Sequence, residues 1–204
     1  MDPDLLGRRL AGAPAAPPEG SGDLPAAVLV PLIAGPGNEG GLPGRWYLLM
    51  IRRTEALAIH GGEIAFPGGR VEPGEDSQTA ALREADEELA VRPGDVTVLG
   101  RLPDVETRVS QYRITPWVGV VSAEARHRLR PEPAEVAGVL EIPLDEIADP
   151  ARRREQRFIR GRAMTVSPAY DVGGVTVWGA TARIVSELLD WLPTNVHRGQ
   201  PTIR

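Results

Sequence analysis

The segment from Ser77 to Ala90 (SQTAALREADEELA) most restricts the folds open to this chain. It contains neither glycine nor proline, although the chain has 23 glycines and 20 prolines, and most of its residues favour helices. Asp76 or Ser77 is the expected N-cap, and Pro93 with Gly94 is expected to stop the helix. Since strand-like segments lie on both sides of it, the fold must pack a helix against a sheet.

Apolar runs of strand length precede and follow this helix. Ala26–Ala34 and Arg45–Arg52 flank a turn rich in glycine and proline, which predicts a hairpin. Pro31 within the first run indicates an edge strand or a bulge. Two later strands and a second, amphipathic helix are predicted at Val96–Leu102, Tyr112–Ser122 and Ala180–Leu192. The pattern predicts a layered α/β or α+β domain over residues 26–192.

The ends of the chain are poorer in residues that pack. Residues 1–25 are expected to form an N-terminal arm, with a short helix capped by Asp2 ahead of a linker, and residues 193–204 a tail. The first residues lack the charged and apolar regions of a signal peptide, and no apolar run approaches the ~20 residues of a membrane span. We therefore expect a cytoplasmic protein without a membrane partner.

Composition excludes several kinds of site. The chain has no cysteine, which excludes a disulfide scaffold, a thiolate zinc site and a cysteine nucleophile. All 23 basic residues are arginines, which excludes a Schiff-base lysine and a phosphate-binding Walker lysine. The net charge of −5 argues against a nucleic acid as partner. The scattered histidines, His60, His127 and His197, lack the spacing of metal ligands.

Three glutamates of the predicted helix share one face. Glu84, Glu87 and Glu88 fall within an arc of about 100° on a helical wheel. Each like-charged pair costs roughly 0.2–0.5 kcal/mol, and Arg83, four residues before Glu87, offsets only part of it. Such a stripe alone is more typical of a solvated acidic face than of a metal site. A divalent cation, which prefers carboxylate oxygens, is the alternative compensation.

The segment before the helix favours the metal. Phe66-Pro67-Gly68-Gly69 ends in a glycine pair that lets the backbone approach a ligand closely. Glu75 follows six residues after Gly69, just ahead of the predicted helix. This combination of a glycine pair, an isolated glutamate and a glutamate cluster favours a metal site over a solvated acidic face.

This constellation resembles the box of the Nudix hydrolase family. The matching positions are Gly69, Glu75, Arg83, Glu84, Ala85, Glu87, Glu88 and Val91, with Ala90 in place of the family's last glycine. The resemblance implies a Nudix fold, with a mixed β-sheet sandwiched between helices. It also implies Mg²⁺-dependent, or Mn²⁺-dependent, hydrolysis of a nucleoside diphosphate linked to another group, so the expected partner is a nucleotide.

Roles carry over position by position. The resemblance makes Glu84 and Glu88 the principal metal ligands, with Glu87 as a further or water-mediated ligand. Arg83 orients the glutamates and Glu75 organises the loop, while the carbonyl of Gly68 or Gly69 is a candidate ligand.

A loop glutamate is the remaining candidate from this family. Glu135 precedes a strand-like segment, where many relatives have a glutamate that binds metal or activates water. An exposed loop acid is the alternative interpretation.

The residues upstream of the box resemble the coenzyme A pyrophosphatase branch. Matches to that signature are Arg53, Leu57, His60, Gly62 and Phe66–Gly69, whereas Ile51, Thr54, Ala58 and Glu63 depart from it. The resemblance implies release of 3′,5′-ADP and 4′-phosphopantetheine from coenzyme A or its derivatives. Guanidinium groups suit the three phosphates, so the candidate substrate contacts are Arg53, Arg52 and Arg70, or else surface charges.

Two other functions stay open. Ala58 and Glu63 keep another nucleoside diphosphate derivative or a nucleoside triphosphate as the alternative substrate. A catalytically silent Nudix fold used for binding is the third hypothesis, although all three helix glutamates are present. The sequence leaves the oligomeric state open, a homodimer included.

Overall fold

The structure, a computed structural model, describes residues 1–12, 24–35, 44–55, 61–107, 111–160 and 163–192. The helices are α1 (Pro3–Leu10), α2 (Ser77–Leu89), α3 (Ala123–His127), α4 (Leu144–Ile147) and α5 (Gly179–Trp191). The strands are β1 (Leu24–Ala34), β2 (Trp46–Arg53), β3 (Ile64–Ala65), β4 (Gly68–Arg70), β5 (Val96–Arg101), β6 (Val105–Glu106), β7 (Tyr112–Val121), β8 (Val136–Pro143), β9 (Arg153–Arg160), β10 (Ala163–Val172) and β11 (Val175–Val177).

The larger sheet is mixed. Its order is β3-β2-β1-β7-β5, with β4 on β1, β6 on β7 and β8 on β2. β1 and β2 form the predicted antiparallel hairpin, whereas β1 and β7 are parallel from Leu24 and Tyr112 onward. A smaller antiparallel sheet has the order β11-β10-β9.

β1 lies in the middle of the larger sheet, so the edge strand or bulge predicted from Pro31 is wrong. The antiparallel ladder of β1 with β4 ends at Val28, and its ladder with β2 starts at Leu32. Pro31 stands between the two, where its missing N–H breaks neither antiparallel ladder, while its pairing with Gly119 of β7 continues.

The two faces of the sheet bury separate cores. Ala27, Leu29 and Ile33 of β1 pack on the side of α2. Val30 and Leu32 point to the other side, where they join residues of α1, α5 and the smaller sheet. The sheet is thus sandwiched between helices, which confirms the predicted fold class and fixes α2 against one face.

The helix boundaries have local causes. Asp76 caps α2, with its carboxylate accepting a hydrogen bond from the Thr79 amide at 2.8 Å. α2 ends at Ala90 in the left-handed conformation (φ 58°), so Pro93 and Gly94 are not what stops it. At the N-terminus, Leu6 and Leu10 of α1 are buried in the core. None of the helices in the described ranges has the length and apolarity needed to span a membrane.

Candidate active site

Glu88 of α2 is buried beneath β4. Its side chain is 1% exposed, and its Oε2 accepts a hydrogen bond from the Gly68 amide at 3.0 Å. Its Oε1 accepts another from Arg53 Nη1 at 3.3 Å. Burial raises the pKa of Glu88 to about 7, and the negative charges of Glu84 and Glu135 also raise it. The hydrogen bond from the Gly68 amide and the charge of Arg53 oppose this shift.

Glu84 lies one turn earlier, directly against Gly69. A β-carbon at position 69 would lie within 3 Å of all three carboxyl atoms of Glu84, too close for real contacts. Gly69 pairs with Ala27, whose side chain faces the α2 side of the sheet. The glycine at this position therefore makes the space that the Glu84 carboxylate fills. Burial also raises the pKa of Glu84, although Arg83 opposes the shift.

Arg83 ties the loop before α2 to the helix. Its Nε and Nη2 donate to the carboxylate of Glu75 at 3.0 and 3.2 Å, and Nη2 also donates to the carbonyl of Arg70 at 3.0 Å. Its Nη1 donates to Glu84 at 2.9 Å and to Glu87 at 3.0 Å. The Arg83 guanidinium lowers the pKa of Glu75, which stays ionised. These contacts suit the orienting part expected of Arg83 and Glu75.

The three helix glutamates are unequal. The side chain of Glu87 is 59% exposed, against 15% for Glu84 and 1% for Glu88. The expected pair of Arg83 with Glu87 is confirmed, but Glu87 lies at the rim of the cluster. Glu87 is therefore the most exposed candidate ligand of the three.

The loop that carries Glu135 is fastened to the end of α2. The amides of Arg130 and Glu132 donate to the carbonyls of Leu89 and Glu88, each at 2.9 Å. The carbonyl of Glu135 accepts from the amide of Thr54, directly after Arg53, at 2.9 Å. The charge of Glu135 raises the pKa of both Glu84 and Glu88, so it acts on this cluster.

Of the three candidate substrate arginines, only Arg53 contacts the helix glutamates. Strand alternation places Arg52 on the side of Leu48 and Met50, away from α2. The side chain of Arg70 donates from Nε to the Tyr112 hydroxyl at 2.6 Å and lies over that ring at 5.5 Å. Leu57, Ala58 and His60 of the upstream signature lie outside the described residues.

The donor set fits a hard divalent cation. Carboxylate oxygens are its preferred ligands, and buried Glu88, half-buried Glu84 and exposed Glu87 supply them. In the described part of the chain, no three acidic or imidazole side chains converge as they stand to hold an ion. Oxygens of Glu88 and Glu84 accept hydrogen bonds from Arg53 and Arg83.

Comparison with known proteins finds matches that include β4 and α2. The NUDIX domain family matches residues 23–161. A protein of Pectobacterium atrosepticum named uncharacterized Nudix hydrolase NudL is 38% identical over 170 residues, covering 80% of each chain. A protein of the same name from Escherichia coli is 38% identical over 165 residues, again with 80% coverage of each.

The chain belongs to the Nudix family. Solved structures of Nudix proteins share its fold. RenU from M. smegmatis superposes with a TM-score of 0.50 at 22% identity, covering 62% of this chain and 74% of that one. A MutT/nudix family protein from Enterococcus faecalis gives 0.52 at 13% identity, covering 86% and 62%.

Ala90, the departure from the Nudix box, keeps the backbone geometry that glycine suits. It is the C-cap of α2, and its amide donates to the carbonyls of Ala85 and Asp86. The left-handed conformation costs a residue with a β-carbon roughly 1–2 kcal/mol. The substitution therefore affects stability at the end of α2 and leaves the glutamates in place.

Two contacts of β4 were not predicted from the sequence. The carbonyls of Gly68 and Gly69 are candidate ligands, but the structure also gives the Gly68 amide a part, as donor to Glu88. Tyr112 holds the side chain of Arg70. No feature of the sequence indicates the hydrogen bond from the Gly68 amide. Tyr112 could have been singled out, because it is an aromatic residue at the start of a predicted strand.

Proposed function

We propose that this Nudix protein is a metal-dependent pyrophosphatase that hydrolyses the diphosphate of coenzyme A or its derivatives. The observation that carries the proposal is the placement of two sheltered glutamates, Glu84 and Glu88, against Gly68 and Gly69 of β4. Carboxylates held close against the backbone of a strand suit a cation that must meet a diphosphate in a restricted space.

The metal is assigned to the helix face. Glu84 and Glu88 would hold Mg²⁺, with Mn²⁺ as the other suitable ion, while Glu87 would add a ligand from the rim. A carbonyl of Gly68 or Gly69 is the remaining candidate. When bound, the ion supplies positive charge to the phosphate oxygens, where negative charge builds up during hydrolysis.

The chain's own residues order the reaction around that charge. A water oxygen forms a new bond to one phosphorus while the bond from that phosphorus to the bridging oxygen breaks, and the water proton leaves. Glu135 is suited to take this proton, because its loop is fastened to α2 and its charge acts on Glu84 and Glu88. Arg83 and Glu75 hold the helix and the loop in register.

Support for coenzyme A comes from the residues before the box. Arg53, a match to the coenzyme A branch signature, is the arginine that reaches the glutamates. Glu63, a departure from it, contributes its carbonyl to the Arg53 amide at 3.0 Å, a backbone contact that any side chain permits. A guanidinium fork beside the cluster suits a substrate with several phosphate oxygens.

A panel of substrates tests the proposal. Purified protein with Mg²⁺ is offered coenzyme A, NADH, ADP-ribose, diadenosine polyphosphates and nucleoside triphosphates, and products are identified by mass spectrometry. We expect preferential release of 3′,5′-ADP and 4′-phosphopantetheine from coenzyme A. The matched control is Glu88→Gln, which keeps the shape of the side chain and should lower turnover by orders of magnitude.

The outcomes separate the alternatives. Preferential turnover of a compound that lacks the pantetheine arm would assign another nucleotide substrate. Binding of these compounds without turnover would indicate a silent Nudix module. Undiminished turnover by Glu88→Gln would remove Glu88 from the metal site.

A further inference from the structure

Arg53 and Glu88 form an ion pair with unequal partners. The Glu88 side chain is 1% exposed, whereas that of Arg53 is 21% exposed and remains open to solvent on one side. Within the described residues, the Arg53 guanidinium makes a single hydrogen bond, from Nη1 to Glu88 Oε1, and its length of 3.3 Å is at the weak end for such bonds. The contact places a positive charge beside a buried carboxylate, but one long hydrogen bond does little to fix the arginine side chain.

Arg83 provides the contrast on the same helix face. Its guanidinium makes five hydrogen bonds, to Glu75, Glu84, Glu87 and the Arg70 carbonyl, at 2.9–3.2 Å. Releasing Arg83 would break the link between β4, the loop and α2. Releasing Arg53 breaks one long bond.

The backbone around Arg53 is held independently of its side chain. Its amide donates to the Glu63 carbonyl, and its carbonyl accepts from the Gly62 amide, each at 3.0 Å. The next amide, that of Thr54, donates to the Glu135 carbonyl. The side chain can therefore turn while the end of β2 and the Glu135 loop keep their places.

A cation that binds Oε1 of Glu88 competes with Arg53 for that oxygen. The Arg53 guanidinium donates to it from Nη1, so a positive charge already lies at one oxygen of a proposed ligand. We propose that Arg53 is a displaceable counter-charge: a divalent cation takes Glu88 from its guanidinium, which then turns to the phosphate oxygens of the substrate. This inference rests on the proposed metal role of Glu88.

Competition between Arg53 and the cation predicts that removing Arg53 increases the affinity for Mg²⁺. If Arg53 and the cation compete for one carboxylate, Arg53→Met should tighten binding of Mg²⁺ alone, by about three- to tenfold. Loss of a structural residue or of a metal-positioning residue would weaken it. Arg53→Lys keeps the charge and should stay close to wild type.

Calorimetric titration of the substrate-free protein with MgCl₂ measures this. The titration is run at pH 9 for every variant, so that protons compete little with the cation for a carboxylate. The matched control is Arg52→Met, one residue away on the opposite side of the strand, which should leave Mg²⁺ affinity unchanged. A thermal scan with and without Mg²⁺ shows that each variant is folded, and Arg53→Met should gain more from Mg²⁺ than wild type.

Each outcome assigns its own cause. Equal or weaker Mg²⁺ binding by folded Arg53→Met, beside normal binding by Arg52→Met, overturns the inference alone. Should Arg53→Met not fold, Arg53→Lys decides, because loss of affinity there would contradict a role through charge. Unchanged Mg²⁺ affinity in Glu88→Gln would instead refute the proposed metal role.

The second half of the inference has a kinetic readout. With Mg²⁺ saturating, Arg53→Met should raise KM for coenzyme A about tenfold or more while lowering kcat less, because the fork contacts substrate phosphates. An unchanged KM would mean that the released guanidinium does not reach the substrate.

Discussion

The carboxylate of Glu84 occupies the space in which a β-carbon on Gly69 would lie, with Oε1 only 2.4 Å from that position. Glycine at 69 is thus required by the neighbouring helix and not by its own backbone angles, because its φ is not in the left-handed region. Two parts of the Nudix box, Gly69 on β4 and Glu84 on α2, are thus packed directly against each other.

Gly69→Ala should damage both the site and the fold. The added methyl group must displace Glu84 or β4, and forced packing of this kind costs about 1–3 kcal/mol. We expect a lower free energy of unfolding in urea and at least tenfold weaker Mg²⁺ binding by calorimetry. Gly94→Ala is the matched control, since a β-carbon there meets nothing within 4 Å. Wild-type Mg²⁺ affinity in Gly69→Ala would show that Glu84 is not a ligand.

Glu135→Gln should lower turnover without changing the fold. The loop is held by backbone hydrogen bonds to α2 and to Thr54, which the substitution leaves intact. Loss of the carboxylate removes the group proposed to accept the water proton, and such groups contribute about 10²–10⁴-fold to rates. Steady-state kinetics measures the fall, with the exposed Glu124→Gln of α3 as control. Equal turnover in the two variants would make Glu135 an ordinary loop acid.

Ala90→Gly should stabilise the protein. Glycine adopts φ of 58° without the steric cost that a β-carbon imposes, so the free energy of unfolding should rise by about 1 kcal/mol. Ala123→Gly, at the exposed first residue of α3, should act in the opposite direction by a smaller amount. Chemical denaturation of both variants checks the signs, and a destabilised Ala90→Gly would contradict the strain inferred at the end of α2.

The cap of α2 makes stability depend on pH. The amide of Thr79 lowers the pKa of Asp76 below its ordinary 3.8, so the carboxylate stabilises the fold above that pH and loses its effect as the pH falls through the lowered value. At pH 7, Asp76→Ala should cost about 1 kcal/mol and Asp76→Asn less.

Urea denaturation from pH 7 to 3 measures this dependence. The difference between wild type and Asp76→Asn should shrink toward the acid end, because the wild-type carboxylate becomes protonated there. A difference that stays constant over the range would exclude ionised Asp76 as the stabilising cap.

Local signals predicted the elements that position the site. The α2 helix has its cap at Asp76 and its face of glutamates within one short segment, and the β1–β2 hairpin follows from two apolar runs and a turn. Pro31 misled because its tolerance depends on where two neighbouring ladders end, which the local sequence does not record.

The difference among the glutamates required the tertiary structure. Helical spacing treats Glu84, Glu87 and Glu88 alike, yet β4 covers Glu88 while Glu87 stays exposed. The same limit applies to the arginines, since adjacent positions Arg52 and Arg53 take opposite sides of a strand. A cytoplasmic location and a homodimeric state remain predictions from the sequence.

A crystal grown with Mn²⁺ tests whether Glu84 and Glu88 hold a divalent cation beside Gly68 and Gly69 of β4. Anomalous scattering locates the ion without reference to any assumed ligand. We expect a peak within about 2.5 Å of carboxylate oxygens from both glutamates, with the Arg53 guanidinium moved off Glu88. A structure with saturating Mn²⁺ and no peak at these oxygens would exclude Glu84 and Glu88 as the metal ligands.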